Sequence, residues 1–148
     1  RRQRQMCIRD RAKGDWDFVT TRAKEYLTTE GFRRYAAETS FFLSQSYDKR
    51  NMREDAIVAY NNTWASYTGL IRISAPSMKR VMELVWERNN GDDHQQAYEI
   101  GYKFRKSTEH LLEQMKDEER ELWESVRDLV ERYEGHSSVT KIVEEKPK

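Results

Sequence analysis

Residues 37–70 read AETSFFLSQSYDKRNMREDAIVAYNNTWASYTGL, and their small and apolar side chains recur at spacings of three and four. Ala37, Ser40, Leu43/Ser44 and Tyr47 form one series; Ala56, Tyr60, Thr63 and Tyr67 form a second. Such spacing places each series on one face of an α-helix. Between them stand Asn51 and Glu54, arranged as an N-cap and its reciprocal partner are at a helix start. The stretch is therefore a pair of helices joined by a short turn. Its small inward residues let the two helices approach closely.

Outward from this pair the pattern continues. Residues 15–27 place Val19, Ala23 and Tyr26/Leu27 on one face, and Gly31 is a stop signal. The first helix of the pair begins near Arg34. Ser74-Ala75-Pro76 reads as another helix start, because proline is tolerated in a first turn. That helix runs to Asn89 with Met78, Val81/Met82 and Val85 inward, and Asn90-Gly91 makes a turn. Asp93 with Gln96 is a second cap pair, opening a helix over 94–114 with Ala97, Ile100/Gly101, Phe104, Thr108, Leu111/Leu112 and Met115 inward. A last helix, 117–134, carries Leu122/Trp123, Val126, Leu129/Val130 and Tyr133 on one side and charges on the other. The predicted class is all-α, a short irregular solenoid of antiparallel helix pairs with about six helices and a C-terminal capping helix.

The two ends stand apart. Residues 1–11, Arg-Arg-Gln-Arg-Gln-Met-Cys-Ile-Arg-Asp-Arg, resemble the translation of a transposon-end sequencing adapter and are set aside as an unstructured, adapter-derived segment. On that reading the chain is a fragment from an environmental assembly, with an N-terminally truncated helical domain over 12–134. Five of the 27 basic residues and one of the 26 acidic ones lie in the segment, so the remainder carries 22 against 25, net −3. Cys7, the one cysteine, also lies there, which leaves no thiol for a disulfide, a metal site or a nucleophile. Residues 135–148 are polar and are expected to be a disordered tail. No apolar run reaches the ~18 residues that a membrane-spanning helix needs.

The 37–70 unit resembles a tetratricopeptide repeat. Leu43 and Ser44 stand at its large-then-small pair, Tyr47 at its aromatic position, Ala56 at its small position, and Tyr60 and Thr63 in its second helix. Residues 15–27 match the latter half of a preceding repeat. Residues 75–89 with 94–112 match a following one, in which Gly101 replaces an aromatic. Ala56 and Ala97 are 41 residues apart where the regular repeat has 34, which is read as longer loops. The runs Tyr35-Ala36-Ala37-Glu38, Ser44-Gln45-Ser46-Tyr47 and Asp55-Ala56-Ile57-Val58-Ala59-Tyr60 are similar to the bacterial cell-envelope branch of these proteins, which includes outer-membrane assembly lipoproteins and Tol–Pal coordinator proteins. The resemblance implies a periplasmic or envelope location, with the cytoplasm as the other option, and a scaffold that binds a protein or peptide partner on the face made by the first helices. Glu38, Phe41, Gln45 and Asp48, followed by Met82, Trp86 and Asn89, occupy the corresponding positions and are the candidate partner groove.

Nothing in the sequence points to chemistry. His94, His110 and His136 fit no metal-binding spacing, and the six glycines form no phosphate loop or nucleophile elbow. No catalytic residue, metal ligand or cofactor site is expected. Glu118, Glu119, Glu121 and Glu124 alternate with Arg120 and Arg127, as on a solvated helix face. Arg33, Arg34 and Tyr35 raise an RNA-binding reading, which the net negative charge opposes, so no nucleic-acid partner is expected. The alternative to a scaffold is a structural helical module of a larger enzyme or transport assembly.

Overall fold

The computed structural model describes residues 14–29 and 35–144. The adapter-like segment 1–11 and the stop at Gly31 lie outside the described residues. Among the described residues six α-helices follow one another: α1 (Trp16–Thr28), α2 (Ala36–Lys49), α3 (Arg53–Ser66), α4 (Ile71–Arg88), α5 (Asp93–Thr108) and α6 (Asp117–Glu134). A 3₁₀ turn, Glu109–Gln114, leads out of α5. Each helix packs on the next in sequence, and α4 also packs on α6 and, more lightly, on α2. The fold is all-α, a short irregular solenoid in which α2/α3 and α4/α5 are successive pairs and α6 covers the end. Among the described residues no helix is long and apolar enough to cross a membrane.

One core runs through α3 to α6, with Ile57, Tyr60, Met78, Met82, Tyr98, Phe104, Val126 and Val130 among its buried members. Buried hydroxyls pair where helices come closest. Thr20 Oγ1 donates to Ser46 Oγ at 2.7 Å between α1 and α2, and Ser44 Oγ meets Thr63 Oγ1 at 3.2 Å between α2 and α3. These bonds satisfy polar groups that would otherwise be costly to bury. They also explain why small residues occupy those positions.

Three helix starts differ from expectation. Asn51 is not the cap of α3. It adopts a left-handed φ of 59° immediately after α2. Its N–H bonds the Asp48 carbonyl at 3.0 Å, and the Met52 N–H bonds the Tyr47 carbonyl at 2.9 Å. That double closure is a Schellman ending, for which asparagine is second only to glycine. Helix α4 begins at Ile71, not at Ser74, because Ile71 and Ile73 are buried and draw another turn into the helix. Pro76 then lies inside the helix. The pair Asp93/Gln96 is also not a cap: Gln96 bonds Asp92 at 2.8 Å, and Asp93 is the first helical residue, used elsewhere.

The long spacing from Ala56 to Ala97 has a different origin from the one expected. The connection 89–92 is only one residue longer than 50–52, and four residues of the excess are one further turn in α4, which has 18 residues against 14 in α2. Helix α5 ends at Thr108, six residues before the expected bound, because the chain tightens into the 3₁₀ turn. The expected disordered tail also differs. After a turn closed by the Val139 N–H on the His136 carbonyl, residues 139–144 run along α5, with Val139 and Ile142 half-buried against the core. Residues 145–148 lie outside the described residues.

Candidate functional site

The first helices of the stack, α2, α4 and α6, line a groove of about 360 Å³. Its floor is apolar: Phe41 from α2, Ala75 and Pro76 from α4, Leu122 from α6. Phe41 is half-buried, its ring centroid 6.1 Å from that of Tyr60. Gln45 and Ser125 add polar groups, and Lys49 and Lys79 stand at the rim. No carboxylate lies within ion-pair distance of either lysine among the described residues.

Asp48 sits at the centre of the groove wall. Its carboxylate accepts two bonds from the Arg80 guanidinium, at 2.7 and 3.0 Å, and one from the Tyr60 hydroxyl at 3.0 Å. The three residues come from α2, α4 and α3, so one carboxylate joins three helices. Burial, and then the Asp48 charge, push the Tyr60 hydroxyl far above its ordinary titration range. The Asp48 hydrogen bonds push the Arg80 guanidinium higher still. A carboxylate so occupied has little left to offer a partner. Glu38 is similarly engaged, with Arg72 of α4 at 3.4 Å.

The seven residues expected to form a partner groove therefore divide. Phe41, Gln45 and Asp48 come together in the groove, with Glu38 one turn away on α2. Met82, Trp86 and Asn89 do not join them. Met82 is fully buried, and Asn89 ends α4 in a left-handed conformation with φ 50°. Trp86 is held between two rings: His94 stacks on it at 3.8 Å and Tyr133 at 3.9 Å. The α4 residues that do face the groove are Ala75, Pro76, Lys79, Arg80 and Glu83. Their spacing (75/76, 79/80, 83) is that of one helix face and is visible in the sequence, but it mixes proline with charges, and an apolar-stripe reading passes over it.

The cluster around Trp86 also brings together two histidines that stand 42 residues apart in the sequence. The rings of His94 and His136 lie 5.3 Å apart, and each Nδ1 meets the Ser138 hydroxyl, at 2.7 and 2.6 Å. The cluster ties the start of the extended strap to α5. Among the described residues no group of three or more metal-ligating side chains converges.

A second groove of similar volume lies between α1, α2 and α3, lined by Leu27, Leu43, Tyr47, Val58 and Tyr67. Comparison with protein-family models, with curated proteins and with solved structures finds no match for this chain.

Proposed function

We propose that the chain is a non-catalytic scaffold of tetratricopeptide type that holds a peptide segment of a protein partner in the groove between α2, α4 and α6. The observation behind this reading is the composition of the groove: an apolar floor of Phe41, Pro76 and Leu122 beside two lysines without carboxylate partners. Apolar anchors seated among polar groups carry most of the binding energy at protein interfaces. A bacterial cell envelope is the setting that the sequence resemblance suggests.

The test is a peptide array probed with the wild-type chain and with Lys79→Glu and Phe41→Ala variants, melting temperature being followed in parallel. Peptides that bind the wild type and lose binding at least tenfold in both variants, at unchanged melting temperature for Lys79→Glu, support the reading. An array on which wild type and Lys79→Glu give the same pattern removes it. The alternative, a structural module of a larger assembly, draws on a different observation: Val58 is 59% exposed beside the second groove, an apolar contact suited to a neighbouring domain.

A further inference from the structure

The outer side of α5 already carries an extended chain. Residues 138–144 run along it in the same direction as the helix: Ser138 meets His94, Thr140 meets Gln95, Ile142 meets Tyr98, and Glu144 meets Tyr102 and Lys106. The lengths are close. The four steps of chain from Thr140 to Glu144 cover about 13 Å, and the seven residues from Gln95 to Tyr102 rise about 10 Å.

The central contacts read main chain and not side chain. The Gln95 amide accepts from the Thr140 N–H at 2.7 Å and donates to the Thr140 carbonyl at 3.0 Å. The Tyr98 hydroxyl accepts from the Ile142 N–H at 3.0 Å and donates to Glu134 at 2.9 Å. Such bonds are open to any extended segment, as in the recognition of added strands. Selectivity comes from the flanks. Val139 and Ile142, three apart, are half-buried against the core, and a carboxylate two residues further is received by the Tyr102 hydroxyl at 2.6 Å and by the Lys106 ammonium. The strap itself buries little, since Ser138, Thr140, Lys141, Val143 and Glu144 are all exposed. Contacts of this kind open locally without global unfolding.

We infer that the outer face of α5 is a docking site for an extended peptide, that residues 138–144 are its built-in occupant, and that a partner segment binds there by displacing them. The fitting partner is an extended segment with two branched apolar residues three apart and a carboxylate two residues after the second. This site is distinct from the groove of α2, α4 and α6, and it stands or falls separately.

The test uses the intact chain and a fluorescein-labelled peptide of residues 137–144, followed by polarisation. In the wild type the strap competes and binding is weak. The strap substitutions Ile142→Ala and Glu144→Gln together leave α5 unchanged. They raise affinity for the peptide about tenfold, because apparent affinity scales with the fraction of sites left open. Adding Gln95→Ala to that chain lowers affinity again at least tenfold, and a scrambled peptide does not bind. If the strap variant binds no better than wild type, or the scrambled peptide binds equally, the proposal is overturned. Hydrogen exchange at the Thr140 and Ile142 amides is an independent readout. Exchange faster than that of the core amides is expected, whereas exchange only through global unfolding makes the strap a fixed part of the fold and overturns the proposal.

Discussion

Gly101 lies at the point where α4, α5 and α6 come closest. A Cβ placed there meets Met82 Cε at 2.5 Å, Met82 Sδ at 2.6 Å and Val130 Cγ2 at 2.8 Å. The thioether end is flexible, but Met82 is fully buried, in an interior packed closely enough that a shift there disturbs its neighbours. Val130 is β-branched and stiff. Gly101→Ala gains about 1 kcal/mol of helix propensity and loses ~1–3 kcal/mol to overpacking. A net loss of about 1–2 kcal/mol in urea denaturation is expected, and a more stable variant would show that the three helices are less tightly opposed. The Met82 side chain and Val130 fill the volume that a side chain at position 101 would need. Asp93 is the other residue with an outsized role. Arg88 binds both its oxygens at 2.8 Å and the Asn90 N–H adds a third bond, which together hold the carboxyl at about 2, below its ordinary 3.8. The unfolded chain therefore binds the Asp93 proton more tightly than the folded one. The stabilisation is complete above about pH 5 and disappears as pH falls through 4 toward 2, on the order of 2 kcal/mol in all. Asp93→Asn should lie below the wild type by that amount at neutral pH, and the two stability curves should converge in acid. Parallel acid slopes would mean that the carboxylate carries no such linkage. In the sequence Asp93 reads as a helix cap, because the spacing to Gln96 is local, whereas the Arg88 partner is found only once α4 and α5 are folded together.

At the scale of elements, the helices were legible from spacing and their ends were not. Burial repeats every three or four residues whatever the tertiary context, so α1, α3 and α6 are found within two residues of their expected bounds. End positions depend on what lies opposite. Pro76 draws an expected start to its own first turn, yet burial of Ile71 and Ile73 outweighs the hydrogen bond that the proline removes. Met82 and Trp86 are apolar residues taken up by the core and by the His94 and Tyr133 rings, and the groove face of α4 falls instead on Pro76, Lys79 and Arg80, which carry no apolar periodicity. The α2 half of the groove was readable because α2 ends where its apolar stripe ends, at Lys49. The turn after it makes a separate test. Asn51 holds φ 59°, a conformation that costs a β-branched residue about 1–2 kcal/mol and costs glycine almost nothing. Asn51→Val should lower stability by about that amount in thermal or urea unfolding, and Asn51→Gly should match or exceed the wild type. If valine and glycine behave alike, the Schellman closure from Met52 to Tyr47 is not what ends α2.

For the molecule as a whole, the decisive question is how a stack of helix pairs ends. A pair exposes an apolar face on each side, and the last one needs a cover that is apolar within and polar without. Helix α6 is that cover. Trp123, Val126, Leu129, Val130 and Tyr133 are buried against α4 and α5, its glutamates and arginines face outward, and the Trp123 indole N–H donates to Thr108 at 2.8 Å. Its first-turn acids Asp117, Glu118 and Glu119 also suit a helix N-terminus, where the Glu119 carboxylate accepts from the Lys116 N–H at 3.3 Å. Five large side chains at ~1.5–3 kcal/mol each amount to about 10 kcal/mol of burial, comparable with the entire net stability of an ordinary domain. A chain ending at Lys116 should therefore lose its cooperative transition, bind an apolar dye through newly uncovered Phe104 and Met115, and aggregate. A chain ending at Gly135 keeps α6 and loses the strap, which contributes two half-buried side chains and contacts exposed to water. It should stay folded and cooperative, with a melting temperature lower by a few degrees, in line with a loss of about 1 kcal/mol. The two truncations together separate cover from strap. A cooperative, soluble 1–116 chain would make α6 an arm resting on a finished domain, and collapse of the 1–135 chain would make the strap the true end of the stack.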